Sequence, residues 1–351
     1  MSHNGTLVLR SSNIQNGKLD FKDCVFVDMK IPERISTRVN DVLMCIRNGS
    51  KSLVGKTAII DKMNENLAWG AFMSILRPCD NTSFLFHYLN SPFFKEQIKA
   101  DLNTATVNQI TFGMLNHCKI NVPKDNIEKI KIASFLDKIN ERIETQNKII
   151  EDLISLKNGL KEELSKPGEI YAKIGDVLKE VSNKSTIQNQ YPVLSSTVKG
   201  LFLQSEYFDR QVASENNIGY KIVGRENIII SPQNLWMGNM TFNDKFENGL
   251  VSPSYKIYKI NSGYEADLVF YKLTTRRSFY NYSLVSEQGA SVVRRNLNID
   301  AFEQLIIPFN GVKDEKILRV LKSVSIKLEN ETAALKCYML QKEYLLENLF
   351  I

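Results

Sequence analysis

The chain is poor in the residues that most often carry chemistry. Its 351 residues include three histidines, His3, His87 and His117, and five cysteines. None of the histidines stands at metal-ligand spacing, so neither a zinc site nor an imidazole base is indicated. The cysteines, Cys24, Cys45, Cys79, Cys118 and Cys337, form no CxxC pair and are odd in number. That suits a reducing compartment and argues against a disulfide framework or a structural metal. No run approaches the roughly 18 apolar residues of a membrane span, and Met1–Arg10 has no apolar signal core, so a cytoplasmic protein is expected. GxSxG, GxxxxGK[ST] and a post-strand GxGxxG are all missing, as is the proline–acid, acid-x-Lys set of a common nuclease core. The expectation is a chain that does no chemistry itself and holds no metal or cofactor.

What the chain has is a repeat. From Ile132 to Leu164 apolar residues alternate at four- and three-residue steps: Ile132, Leu136, Ile139, Ile143, Gln146, Ile150, Leu153, Lys157, Leu160, Leu164. A shift of 185 positions, which carries Pro123 onto Pro308, returns the ladder as Ile317, Leu321, Val324, Leu328, Glu331, Leu335, Tyr338, Lys342, Leu345, Leu349. Even the polar rungs recur, Gln146 with Glu331 and Lys157 with Lys342. A strict 4,3 spacing is a coiled-coil seam, because a 3.5-residue period keeps one stripe facing a partner helix. Each seam of about 33 residues would be ~50 Å long. The two are expected to pair antiparallel through Leu136, Ile143, Gln146, Ile150 and Lys157 on one helix and Leu328, Glu331, Leu335 and Lys342 on the other. A register with Lys157 opposite Glu331 also sets Gln146 opposite Lys342. It gives both polar rungs a partner and is preferred, since a buried unpaired charge is costly.

The repeat sets the organisation: residues 1–123 a first mixed globule, 124–168 a central helix, 169–308 a second globule, 309–351 a C-terminal helix. The fold class is α+β, two mixed α/β domains separated by two long helices that pair as an antiparallel coiled coil, with a pseudo-twofold repeat. Strand-like runs lie at Thr6–Arg10, Asp41–Arg47 and Thr57–Ile60, and again at Asn227–Ser231, Tyr255–Ile260 and Leu305–Ile307. Pro167-Gly168 stops the first helix. The globules match only weakly. Val8-Leu9-Arg10-Ser11-Ser12 parallels Pro192-Val193-Leu194-Ser195-Ser196, and Asp41-Val42-Leu43-Met44-Cys45 parallels Asn227-Ile228-Ile229-Ile230-Ser231. By that comparison the first globule lacks about one strand and one loop at its front.

Polar, Gly-containing loops follow the matched strands. One runs from Arg47-Asn48-Gly49-Ser50-Lys51 to Gly55-Lys56; its counterpart is Pro232-Gln233-Asn234-Leu235-Trp236-Met237-Gly238-Asn239. Arginine, lysine, asparagine and glutamine are the side chains that read base edges, and cations hold phosphates. The candidate DNA-binding set is Arg47, Asn48, Lys51, Lys56, Asn108, Gln109, Lys199, Arg225, Gln233, Asn234, Arg294 and Arg295, with Arg210 and Lys221 adding charge. For any one of them a solvated surface residue is the simpler reading; the recurrence of polar loops at matched places raises the set. The formal charge of +6 permits an anionic partner without requiring one. Asn90-Ser91-Pro92-Phe93 has the outline of an amino-methyltransferase motif but lacks its second proline, so a helix start capped by Ser91 is expected instead.

The two seam helices, the strand–Pro–helix junctions at Val122-Pro123 and Ile307-Pro308, and the Asp41–Ile60 stretch together resemble the DNA-specificity subunits of type I restriction–modification systems. The resemblance spans nearly the whole chain. It implies two target-recognition domains, each reading one half of a split site on double-stranded DNA, and a helix pair that fixes the spacer. It also implies two docked methyltransferase subunits that bind S-adenosylmethionine and, through them, the translocating restriction (nuclease) subunits. The missing opening strand is a departure from the family pattern. The alternative from another class is a coiled-coil scaffold whose globules bind proteins or peptides.

Overall fold

A computed structural model describes residues 5–104, 107–207, 216–288 and 295–350. The chain divides into two compact units, Met1–Ile149 with Glu331–Ile351 and Ile150–Asn330. Each unit therefore contains one globule and a half of each long helix.

The first unit begins with β1 (Thr6–Leu9), β2 (Ile14–Gln15), β3 (Lys18–Leu19) and β4 (Phe26–Val27), then β5 (Val42–Cys45), β6 (Thr57–Ile59), β7 (Ala68–Trp69) and β8 (Met73–Leu76). Helices α1 (Phe84–Asn90), α2 (Pro92–Thr104) and α3 (Phe112–His117) lead to α4 (Asn126–Leu164), whose second half belongs to the other unit. All four residues of β5 are buried, which a central strand covered on both faces requires. It pairs antiparallel with β6 and β8 in the order β6–β5–β8. As expected, α2 starts at Pro92, with the Ser91 hydroxyl accepting from the Phe94 N–H at 3.3 Å.

The second unit continues with β9 (Ile170–Lys173), α5 (Ile174–Val177), β10 (Leu178–Val181), β11 (Leu194–Thr197), β12 (Gly200–Leu203), α6 (Gln204–Tyr207), β13 (Lys221–Gly224) and β14 (Ile228–Ile230). There follow β15 (Met240–Phe242), β16 (Asn248–Val251), β17 (Lys256–Ile260), α7 (Ala266–Leu273), α8 (Arg276–Leu284), β18 (Ser286–Gln288), β19 (Arg295–Leu297), α9 (Ile299–Gln304), β20 (Ile306–Phe309) and α10 (Gly311–Asn348). Its three-isoleucine strand β14 is again fully buried. The sheet has four strands, β10–β17–β14–β15, and β9 pairs with β20. The first unit has neither a counterpart of β10 nor one of β9 among its described residues, which matches the shortened front seen in the sequence. Gly168 is required where the chain leaves α4: a Cβ there would sit 2.7 Å from the Phe309 backbone.

The two long helices pair antiparallel in both units. In the first, Ala133 and Leu136 of α4 share a buried cluster with Leu346 and Phe350, with Ile132, Leu345 and Leu349 packed against it. In the second, Leu164 shares one with Leu318 and Leu321, with Leu160 and Ile317 alongside. Every rung of both seams is buried or half-buried, Ile143, Ile150, Leu328 and Leu335 included. The register, however, differs from the expected one. Gln146 faces Glu331, its own counterpart in the repeat, donating from Nε2 to the Glu331 carbonyl oxygen at 3.0 Å and to its carboxylate. Lys157 does not meet Glu331. Its ammonium lies over the Tyr271 ring at 5.7 Å; burial lowers its pKa, and the charges of Glu329 and Asp244 oppose that shift. Lys342 is likewise lowered by burial, with Glu144 nearby. The physical reason is that a heptad ladder fits itself at several offsets, and here the chain's last residues decide. The Phe350 ring sits 5.2 Å from Phe84 and 6.1 Å from Tyr88 inside the first globule's core. The acids near the seam lysines include residues of the facing helix, Glu329 for Lys157 and Glu144 for Lys342, and Lys157 also has Asp244 and Tyr271 of its globule.

Ion pairs tie each globule to its helices. In the first unit Lys129 pairs with Asp80, and His87 Nε2 lies 2.8 Å from Asp137, whose carboxylate also accepts from Ser83. In the second, buried Lys272 pairs with buried Asp314 at 2.9 Å and donates to the Leu164 carbonyl at 3.0 Å. There Lys322 also pairs with Glu265 and Asp267. Removing one partner of a buried pair strands the other charge and typically costs ~3–5 kcal/mol.

Two predictions follow from the helix pair. A double-mutant cycle between Gln146 and Glu331 in denaturant unfolding should give a coupling of about 1 kcal/mol or more, whereas Lys157 with Glu331 should give none. Lys161, half-buried beside Lys157, has its pKa lowered to about 8 by burial, with the Lys157 charge adding to the shift. The unfolded chain then binds more protons than the folded one between about 8 and the ordinary lysine value of about 10.4, so stability rises with pH across that window. Lys161→Met should flatten that rise and increase the thermal midpoint at pH 7.

Candidate nucleic-acid interface

In the first unit the chain leaves β5 at Cys45 and immediately meets the segment that precedes α3. Ile110 N–H donates to the Ile46 carbonyl at 2.8 Å, Arg47 forms an antiparallel bridge with Gln109, and Asn48 N–H donates to the Asn108 carbonyl at 3.3 Å. Side chains reinforce this: Asn108 donates to the Gly49 carbonyl at 3.1 Å and Asn48 to the Ser11 hydroxyl at 3.1 Å. The Asn48 amide oxygen in turn accepts from the Ser50 N–H at 3.0 Å, and Lys51 donates to the Asn103 amide oxygen. Arg47 is exposed, with its guanidinium 5.2 Å from the centroid of the Phe72 ring, itself 54% exposed. Lys56 is exposed where the loop returns to β6, and its carbonyl accepts from the Cys45 N–H at 2.9 Å. The six residues expected here thus lie on one loop pair. Ser11, Phe72 and Asn103 belong to the same surface and were not foreseen from the sequence.

The second unit builds the same arrangement from different residues. The loop after β14 closes on itself, with Ser231 N–H donating to Asn239 at 3.1 Å and Gly238 turning in the left-handed region at φ 94°. It is joined to the segment before α9: Arg295 N–H donates to the Gln233 carbonyl and Leu297 N–H to the Pro232 carbonyl, both at 3.3 Å. The Arg295 guanidinium stacks on Trp236 at 4.4 Å. The exposed Lys199 stands at the tip of the β11–β12 hairpin, which Ser196 ties to the loop through Asn239 at 3.3 Å. Lys199, Gln233, Asn234 and Arg295 are therefore together. Arg225 is not. It sits at the opposite end of β14, paired with Glu247 at 2.9 Å. Lys221 is also engaged, donating to the Tyr255 carbonyl at 2.6 Å, and burial lowers its pKa. Arg210 and Arg294 lie outside the described residues.

This geometry suits base reading. An arginine lying on an aromatic ring spends its π face on the ring and keeps its N–H edge free, and that edge matches guanine O6 and N7. The signal in the sequence was the pairing of a polar loop with a second polar dipeptide at matched places; the aromatic partners carried none. Elsewhere, His87 is only 1% exposed and shares the Asp137 carboxylate with Ser83 within the core, an arrangement that orders a helix rather than activating a nucleophile. No cluster of potential metal ligands occurs among the described residues, and no described helix is long and apolar enough to cross a membrane.

Residues 12–154 match the family described as the type I restriction modification DNA specificity domain. The specificity subunit of the type I restriction enzyme StySPI, from Salmonella potsdam, is 30% identical over 151 residues, 42% of this chain and 32% of that protein. The EcoKI specificity subunit of Escherichia coli K12 is 32% identical over 143 residues, 39% of this chain and 30% of that protein. The matched stretch thus spans about a third of the length of these curated relatives. Among solved structures, the S subunit of a type I restriction-modification system from M. genitalium superposes with a TM-score of 0.60 at 15% identity, covering 99% of this chain and 93% of that one. A chain from a type I R-M complex gives 0.56 at 14% identity, with 97% and 90% covered. These superpositions carry the fold.

Arg295→Ala should change the fluorescence of Trp236 while lowering unfolding stability by less than ~1 kcal/mol, because the loop keeps its backbone bonds through Pro232 and Gln233.

Proposed function

We propose, from the match of residues 12–154 to the type I restriction modification DNA specificity domain, that the chain is the DNA-reading subunit of such a complex. Each unit reads one half of a two-part duplex site, and the paired helices α4 and α10 serve as the spacer between the readers. The chain catalyses nothing itself. Two methyltransferase subunits, which carry the S-adenosylmethionine, dock on it, and restriction subunits join through them.

The observation that supports this reading best is the recurrence of one device in two diverged globules. In each, a loop at the end of the central buried strand is hydrogen-bonded to the segment before the last short helix. In each, an arginine lies on an aromatic ring at that seam, Arg47 on Phe72 and Arg295 on Trp236. A scaffold that bound two unrelated peptides would need no such match.

The test is DNA binding by the assembled complex, with the target found by mapping methylated adenines in host DNA. Arg47→Ala should relax specificity at one half of the site and Arg295→Ala at the other, each by ~1–3 kcal/mol against the wrong base. Lys51→Ala and Lys199→Ala should weaken all sequences alike and each reduce the salt slope by about 1. Loss of discrimination in both halves from a single arginine change would refute the assignment of one reader to each unit.

A further inference from the structure

The β11–β12 hairpin of the second unit ends in a two-residue tip of mixed chemistry. Thr197 pairs with Gly200 across the ladder, which leaves Val198 and Lys199 at the turn. The turn is locked from within: the Thr197 hydroxyl accepts from the Lys199 N–H and donates to the Gly200 carbonyl, both at 3.1 Å. The stem is anchored below it. Leu194 and Leu201 are buried in one cluster with Val223, Ile229 and Val251, and Leu194 packs against Gly249 in the space a Cβ there would need. Nearer the tip, the Ser196 hydroxyl is bonded to that of Thr241 at 2.8 Å and donates to the Asn239 amide oxygen at 3.3 Å. A side chain carried on this tip has little freedom left to lose on binding.

Hairpin turns favour glycine, asparagine and aspartate, so the turn itself does not call for a valine. Val198 is nevertheless 68% exposed. It touches the reading loop: a Cβ placed on Gly238 would lie 3.9 Å from Val198 Cγ1 and 3.7 Å from the Phe279 ring. Met237, 40% exposed, precedes that glycine and follows Trp236, on whose ring Arg295 lies. An apolar spot thus adjoins both an arginine suited to a guanine edge and a lysine suited to a phosphate. A two-stranded ribbon fits the major groove, where thymine presents its C5-methyl group for apolar contact.

We infer that the hairpin enters the major groove and that Val198, next to Gly238 and Met237, reads the C5-methyl of a thymine. That thymine belongs to the base pair adjoining the guanine that Arg295 reads, while Lys199 holds a nearby phosphate. The half-site of the second unit therefore contains a guanine and a thymine in neighbouring base pairs. The inference rests on the DNA-reading role proposed above and adds to it the bases that the second unit selects. Uracil differs from thymine by the methyl group alone, which isolates the contact.

The assembled complex is titrated with duplexes of its own target in which each thymidine is replaced in turn by deoxyuridine, leaving every hydrogen-bonding group in place. One replacement, at a base pair adjoining a guanine, should weaken binding about fourfold, the effect of uncovering one methyl-sized group. In the Val198→Ala complex the thymine and uracil forms of that duplex should bind alike. In the Lys199→Ala complex both should bind more weakly and the difference between them should persist. The inference is overturned if no replacement matters although the complex still discriminates its target from other DNA. It is equally overturned if the sensitive thymine has no guanine neighbour, or if the penalty survives Val198→Ala. A complex that prefers no DNA sequence overturns the DNA-reading role as well.

Discussion

The contact on which the rest depends is the antiparallel meeting of α4 and α10. Neither helix could be stable alone in water with such a narrow apolar stripe, since isolated helices draw little from propensity. Each half of the pair is completed by a globule, which contributes core residues to the helix seam and receives helix residues into its own core. Leu346 and Phe350 are as much part of the first globule as Phe84 and Tyr88 are. Globule and helix pair therefore share buried core in each unit. The loop pairs that present Arg47 and Arg295 inherit their rigidity from strands buried on both faces.

Much of this was legible in the sequence because it is local or periodic. The two long helices, the central strands and the Ser91 cap all follow from spacing and from turn chemistry. The sequence placed the loop at Arg47–Lys51 and Asn108-Gln109, and the loop at Gln233-Asn234 and Arg295, in one candidate set; that each loop is hydrogen-bonded to its partner segment came from the structure. What was not legible is what depends on distant residues. The helix register failed because a 4,3 ladder can face a like ladder at several offsets, and the contacts that accompany the observed one, such as Phe350 against Phe84, join residues far apart in sequence. Lys157 was expected to meet Glu331; instead it lies over the Tyr271 ring of its globule, with Glu329 of the facing helix and Asp244 as the acids near it. Arg225 looked like part of the basic set because sequence does not tell which end of a strand a turn occupies. The aromatic supports Phe72 and Trp236 carried no signal at all.

The ion pairs that fasten the globules show how a repeat can diverge and remain coherent. The four places concerned correspond under the 185-residue shift: Asp80 with Glu265, His87 with Lys272, Lys129 with Asp314, and Asp137 with Lys322. The globule positions keep an acid followed by a nitrogen donor. The helix positions have exchanged sign, and the pairing has crossed with them: Lys129 serves the acid in the first unit and Lys322 in the second, while Asp137 and Asp314 serve the donor. Either helix therefore offers one cation and one carboxylate, in either order. What the two joints share is therefore a composition and not an order: a reversal of sign at one helix position, Lys129 against Asp314, is matched by the opposite reversal at the other, Asp137 against Lys322.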